Sequence, residues 1–215
     1  MIIVLYLFFI LIVLLVIITV VWRLGSQRYT LPCPVWMKWL LDPPGFKRMS
    51  GRTRKTIELL DIAPGMNVLD AGCGPGRLSI PIAKIIGPDN GIVTAMDIQE
   101  GMLDDVRMRA KKENISNINY IHGGIGEKQL PFNHYDRAVM ITVIGEIPGR
   151  EMAMKDIFNA MKPGGILLVE ETIRDPHFQT RSAVLKLTGD HGFIEKGFFG
   201  NRFSYTLLLE KPIDI

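Results

Sequence analysis

A chain of 215 residues with a net charge of +3 and 47% hydrophobic residues is long enough for one domain with a buried core plus an appendage. Its two cysteines lie too far apart in sequence for a zinc motif, and no disulfide is expected between Cys33, near an apolar N-terminal stretch, and Cys73, within a glycine-rich loop. The hydrophobic content is unevenly placed. Ile2 to Trp22 carries no charge and is nearly all Ile, Leu, Val and Phe. About 20 such residues cross a bilayer core as a helix, so residues 1–22 are expected to form one transmembrane helix. A cleaved signal peptide would need a basic start, a shorter apolar run and a small-residue cleavage site, none of which is present.

The flank sets the orientation. Arg23 to Lys55 holds eight basic residues and one acid, a balance of +7 against +3 for the whole chain, which leaves −4 for residues 56–215. The basic side stays in the cytoplasm, so the N-terminus is expected outside and the domain inside. Because the rest of the chain is mildly acidic, residues 23–54 read as a juxtamembrane segment facing anionic lipid, and no nucleic-acid partner is expected. Gly25 to Pro34 reads as a hinge. Val35 to Leu41, with Trp36, Lys38 and Trp39, either lies on the membrane surface or packs over the ligand as a lid, and Pro43-Pro44-Gly45 closes it.

The domain follows over residues 55–215. Arg52 to Ile62 reads as a helix and Asn67 to Ala71 as a buried strand, with a helix from Arg77 onward. Between strand and helix lies Asp70-Ala71-Gly72-Cys73-Gly74-Pro75-Gly76. Glycine there permits positive φ and leaves no Cβ to hold a ligand off the backbone, while the helix beyond presents unpaired N–H groups. A dinucleotide fingerprint would need glycine at position 77, which is Arg, and Asp70 would repel a pyrophosphate while suiting a cationic amino group. Pro81 is expected to bend the next helix or delay its start, and Gly87-Pro88 to stop it.

The spacing D-x-G-x-G-x-G resembles the first motif of the class I S-adenosylmethionine-dependent methyltransferases. That resemblance, over roughly Lys55 to Lys211, implies a Rossmann-like α/β fold: a seven-stranded, mostly parallel sheet of order 3-2-1-4-5-7-6 with helices on both faces. It implies S-adenosylmethionine as cosubstrate, with Asp70 on the methionine amino group and the loop of Gly72, Cys73, Gly74 and Gly76 against the donor.

Further matches lie downstream. Gly91 to Asp97 reads as the second strand, and a carboxylate at its end accepts hydrogen bonds from ribose hydroxyls. Ile98 offers an apolar face to adenine, and Met102 lies one turn into the following helix. After a third strand, Asn117 to His122, comes Gly123-Gly124-Ile125. Many members of the resembled family have Gly-Asp-Ala here, with the acid on the adenine amino group; this chain has Gly124 in that place, and Gly124 and Ile125 are carried over as backbone contacts. Tyr135 to Ile141 reads as the fourth strand. The loop from Thr142 to Pro148 faces the methyl donor, and its acid Glu146 either orients or deprotonates an acceptor or caps the helix Arg150 to Met161.

Lys162-Pro163-Gly164-Gly165 is a turn into the strand Ile166 to Glu170, again as in the resembled family. A helix from Phe178 to His191 and a hairpin of Phe193 to Phe199 and Arg202 to Glu210, turning at Gly200-Asn201, complete the chain. His122, His134, His177 and His191 are too scattered for a metal cluster and read as structural or exposed. The expected function is methyl transfer from S-adenosylmethionine to an amphipathic acceptor: a phospholipid amine, a quinone precursor or another prenyl lipid. A membrane-bound protein methyltransferase and a non-catalytic donor-binding regulator remain the alternatives.

Overall fold

The computed structural model describes residues 2–29, 51–88 and 91–213. The sheet has seven strands: β1 Asn67–Ala71, β2 Ile92–Asp97, β3 Ile118–His122, β4 Tyr135–Ile141, β5 Met161–Thr172, β6 Ile194–Asn201 and β7 Ser204–Glu210. Their order is β3-β2-β1-β4-β5-β7-β6, as the resemblance implies. The first five run parallel, and β7 runs antiparallel to both neighbours.

The central strands bury both faces, which is why they read as continuous apolar runs. In β1, Val68 belongs to the core cluster that holds Ile57, Leu60, Ile80 and Ile82, and Leu69 to the cluster that holds Met140, Met154 and Leu207. The helices after the first are α2 Gly51–Leu60, α3 Ser79–Ile86, α4 Glu100–Lys112, α5 Arg150–Ala160 and α6 Arg181–Asp190. Helix α2 enters at the carboxyl ends of the strands, where Arg52 pairs with Glu170 and the Thr56 hydroxyl donates to the same carboxylate at 3.0 Å. It leaves near the amino ends, where the Arg137 guanidinium donates to the Leu60 carbonyl at 2.6 Å.

Several boundaries differ from expectation. Helix α3 starts at Ser79 and not at Arg77, because the positive-φ glycines 72, 74 and 76 keep the chain in turns up to Leu78. Pro81 thereby falls in the first turn, where a missing N–H leaves no intrahelical bond unmade. Strand β5 begins at Met161, pairing with Tyr135 before a bulge, so Lys162 to Gly165 belong to an irregular strand and not to a turn before it. The hairpin turns at Arg202-Phe203, two residues later than the Gly200-Asn201 signal, because the Asn201 side chain accepts from the N–H groups of Phe203 and Ser204 at 2.9 and 3.2 Å.

The N-terminal stretch forms helix α1, Ile2–Tyr29, so Gly25 to Tyr29 are helical and not a hinge. Among the described residues no helix is long and apolar enough to cross a membrane. The expected span over 1–22 is therefore not established by the fold. The expectations for Cys33, Val35 to Leu41 and Pro43-Pro44-Gly45 lie outside the described residues.

Candidate functional site

The glycine turn is held by its backbone. The N–H groups of Gly72 and Cys73 both donate to the Met96 carbonyl, at 2.8 and 3.0 Å, tying the end of β1 to the end of β2. Gly72 has φ +76 and lies against Val143, whose Cγ2 would stand 2.5 Å from an added Cβ. At Gly74, φ is +52 and nothing lies within 4 Å of the place a Cβ would take, so this backbone is open to a ligand.

Two acids bracket the turn. Asp97, at the end of β2, accepts from the Gly74 N–H and the Gln99 N–H, both at 2.9 Å and on different oxygens. Each oxygen keeps a lone pair for a further donor. Burial raises its pKa, opposed chiefly by those backbone bonds. Asp70 is buried and accepts from the Ser79 hydroxyl at 2.6 Å. Burial lifts its carboxyl to about 6, with the Ser79 bond pulling the other way. Asp70 thus ties the turn to the first residue of α3, and any cation it meets would face its second oxygen. Burial, with Asp70 and Asp97 nearby, holds the Cys73 thiol protonated, and its Sγ donates to the Gly74 carbonyl at 3.4 Å. It is packing, not a nucleophile.

Ile98, just beyond Asp97, is exposed and apolar, whereas Met102 is buried inside the helix face. The end of β3 joins the site through the Gly123 N–H, which donates to the Asp97 carbonyl oxygen at 3.1 Å. There Glu127 folds back over Gly124, its Oε1 2.8 Å from where a Cβ would stand, and Ile125 packs on the core. A carboxylate therefore stands at Gly124 after all, supplied three residues later.

Beyond β4, Thr142 has φ +54, an unusual conformation for a β-branched residue. Its N–H still pairs with the Glu170 carbonyl at 2.8 Å, so the sheet continues while the chain swings Val143 onto Gly72. Such strain costs on the order of 1–3 kcal/mol and collects at functional sites. A 3-10 helix, Ile144–Glu146, follows.

Glu146 does not cap α5. The N-cap is Gly149, with no side-chain cap bond. Its carboxylate instead lies 3.7 Å from Nδ1 of His177, which is equally far from Asp175. His177 is buried. Its loop is braced: Arg150 donates to the side chain of Gln179 at 3.1 Å and to the Gly145 carbonyl at 3.0 Å, and the Tyr205 hydroxyl donates to the Gln179 carbonyl at 2.7 Å. The Gln179 N–H donates to Glu171, also at 3.1 Å. No sequence spacing links Glu146 to His177, and only the packing of the two loops brings them together.

Glu171 is buried at the end of β5, and its Oε1 has no hydrogen-bond partner. Burial raises its pKa from 4.5 to about 8. The folded chain keeps this proton where an unfolded one releases it, so the contribution to stability is intact below about pH 4.5 and is lost as pH rises to about 8. Glu171→Gln is expected to flatten that fall, on the order of 3 kcal/mol in urea unfolding measured from pH 5 to 8.5; an unchanged pH slope would contradict it. Among the described residues no group of three His, Cys, Asp or Glu is placed to hold a metal ion.

Residues 68–165 match the family model of the methyltransferase domain. That stretch contains the glycine turn, Asp97, Thr142 and Glu146. The demethylmenaquinone methyltransferase of Listeria welshimeri is 33% identical over 119 residues, 55% of this chain and 50% of that protein. The ubiquinone/menaquinone biosynthesis C-methyltransferase UbiE of Shewanella halifaxensis is 34% identical over 125 residues, 58% and 49%. The chain thus matches about half the length of these curated relatives. Among solved structures, a SAM-dependent methyltransferase from Aquifex aeolicus superposes with a TM-score of 0.74 at 18% identity, over 84% of this chain and all of that one. At that identity the likeness speaks for the fold alone.

Proposed function

We propose that the chain is a membrane-associated methyltransferase that moves a methyl group from S-adenosylmethionine to a lipid-soluble acceptor, a demethylated quinone being the favoured one. The observation that carries this reading is the open, positive-φ backbone at Gly74 beside the Asp97 carboxylate. Those residues fit the donor: Asp97 has lone pairs for ribose hydroxyls, Ile98 an apolar face for adenine, and Glu127 a carboxylate for the exocyclic amine. Asp70 meets the ammonium. The relatives named for quinone methylation support the choice of acceptor.

S-adenosylmethionine supplies a methyl already activated by the sulfonium charge, so the chain's own task is to hold an acceptor in line and take the proton it sheds. Glu146 lies one 3-10 turn from Val143, which touches the glycine turn, and is the more exposed member of its pair with His177. Glu146 takes the proton, with the His177 imidazole 3.7 Å from its carboxylate. Glu146→Gln is expected to lower kcat on the order of 10²-fold with donor affinity unchanged, and an unaltered kcat would leave the site without this base.

The membrane reading rests on α1. The large apolar side chains described in it, from Tyr6 to Val21, are exposed around the helix, and an all-round apolar helix needs an apolar surrounding. In this reading the N-terminus lies outside and the domain in the cytoplasm. Incubating the full chain and its native membranes with methyl-labelled S-adenosylmethionine, then separating lipid from protein, tests the proposal. Label in a quinone of the lipid extract, absent with Asp97→Ala, supports it. Label only in protein moves the substrate to a polypeptide, and donor binding without any transfer points to a regulator.

A further inference from the structure

At the carboxyl edge of the sheet the turn of the β6–β7 hairpin makes a small apolar and basic lip. Ile173, Phe198, Phe199 and Phe203 are 37–46% exposed. The Ile173 N–H donates to the Phe203 carbonyl at 2.7 Å, joining the end of β5 to the turn. The Arg202 guanidinium lies 4.5 Å from the centroid of the Phe203 ring, and that of Arg181 4.7 Å from Phe198. The turn is stiff. Asn201 accepts two backbone N–H bonds, and Gly200 at φ +114 packs against the Ser204 carbonyl, 2.3 Å from where a Cβ would stand.

Lys196 pairs with Glu210 at 2.8 Å and Arg181 with Glu195 at 2.7 Å, so the basic groups left to the lip are Arg202, in the turn, and Arg174, next to Ile173 and followed by Asp175. Exposed aromatics set among arginines suit the headgroup level of a bilayer, where rings sit at the boundary and guanidinium groups meet phosphates. Helix α2 begins at this edge, where Arg52 pairs with Glu170. Ser204 pairs with Thr172 and Ile141 with Glu170, so the turn stands at the same carboxyl end of the sheet as Thr142, across β5 from β4.

We propose that this lip, Ile173, Phe199, Arg202 and Phe203, docks on an anionic bilayer surface and turns the mouth of the site toward the lipid phase. An acceptor dissolved in the bilayer then reaches the donor without crossing water. The inference rests on the membrane reading above.

The test uses the full chain with Cys33→Ser, carrying a nitroxide at Phe203→Cys or, as a control on the outer face of α4, at Met108→Cys. It is mixed with vesicles of phosphatidylcholine and phosphatidylglycerol. The label at 203 is expected to lose access to an aqueous nickel chelate by about tenfold relative to that at 108, and to gain access to oxygen. Equal nickel access at both positions in protein that floats with the vesicles overturns the lip while leaving the anchor standing. No flotation overturns both. Dipolar broadening between labels without vesicles overturns it in favour of a second copy of the chain. The double variant Phe199→Ser, Phe203→Ser is expected to keep donor affinity and lose most labelling of vesicle-borne acceptor; undiminished labelling contradicts the proposal.

Discussion

Asp97→Ala is expected to weaken binding of S-adenosylmethionine on the order of 10²-fold, because two losses coincide. The ribose loses a charged acceptor. The turn loses the carboxylate that fixes the Gly74 and Gln99 N–H groups. Asp97→Asn separates the two, since its amide oxygen can hold one of those N–H groups while the charge is gone; an intermediate loss is expected. Titration calorimetry on the folded variants, with thermal melting as a control, reads both. Wild-type affinity in Asp97→Ala would remove this residue from the donor site.

Gly145→Ala is expected to cost on the order of 3 kcal/mol. Its Cβ would stand 2.0 Å from the His177 carbonyl oxygen and 2.5 Å from the His177 Cβ, so one of two backbone segments must move. For a domain of this size that lowers Tm by about 10 °C. The movement also parts Glu146 from His177, so kcat should fall with it. Gly74→Ala is the useful contrast: with nothing within 4 Å it meets only the conformational cost of φ +52, about 1–2 kcal/mol, and keeps the His177 loop in place. A Gly145→Ala chain that melts with the wild type would mean the two loops are not packed as described.

The strand order agrees with what the resemblance implies, and the glycine turn is legible in the sequence because its causes are local. Val68 to Gly76 carries a buried strand, its acid and its glycines in a single run, and the backbone does there what those residue types permit. The hairpin turn is less legible, since Gly200-Asn201 announces a turn while the Asn201 side chain moves it two residues on. The start of β5 is hidden for a similar reason: Pro163 and two glycines read as a break, and only pairing of Met161 with Tyr135 reveals a bulged strand.

The loop after β4 is hardest to read, because its contacts are long-range. Glu146 meets His177 across 31 positions, and its reading as a cap fails because α5 starts at Arg150 on a glycine N-cap. Glu127 is a case between these. Gly124 correctly signals a missing acid, yet the tight turn that brings the Glu127 N–H to the Gly124 carbonyl at 3.2 Å also returns a carboxylate to that place.

The most direct test of the donor site is photolabelling. The full chain is irradiated with methyl-labelled S-adenosylmethionine, digested, and its labelled peptides are mapped. Label is expected in peptides that contain Gly72 to Gly76, Asp97 to Met102 or Met140 to Glu146, and is expected to be lost with excess unlabelled donor. Competed label confined to peptides outside those three stretches would contradict the account.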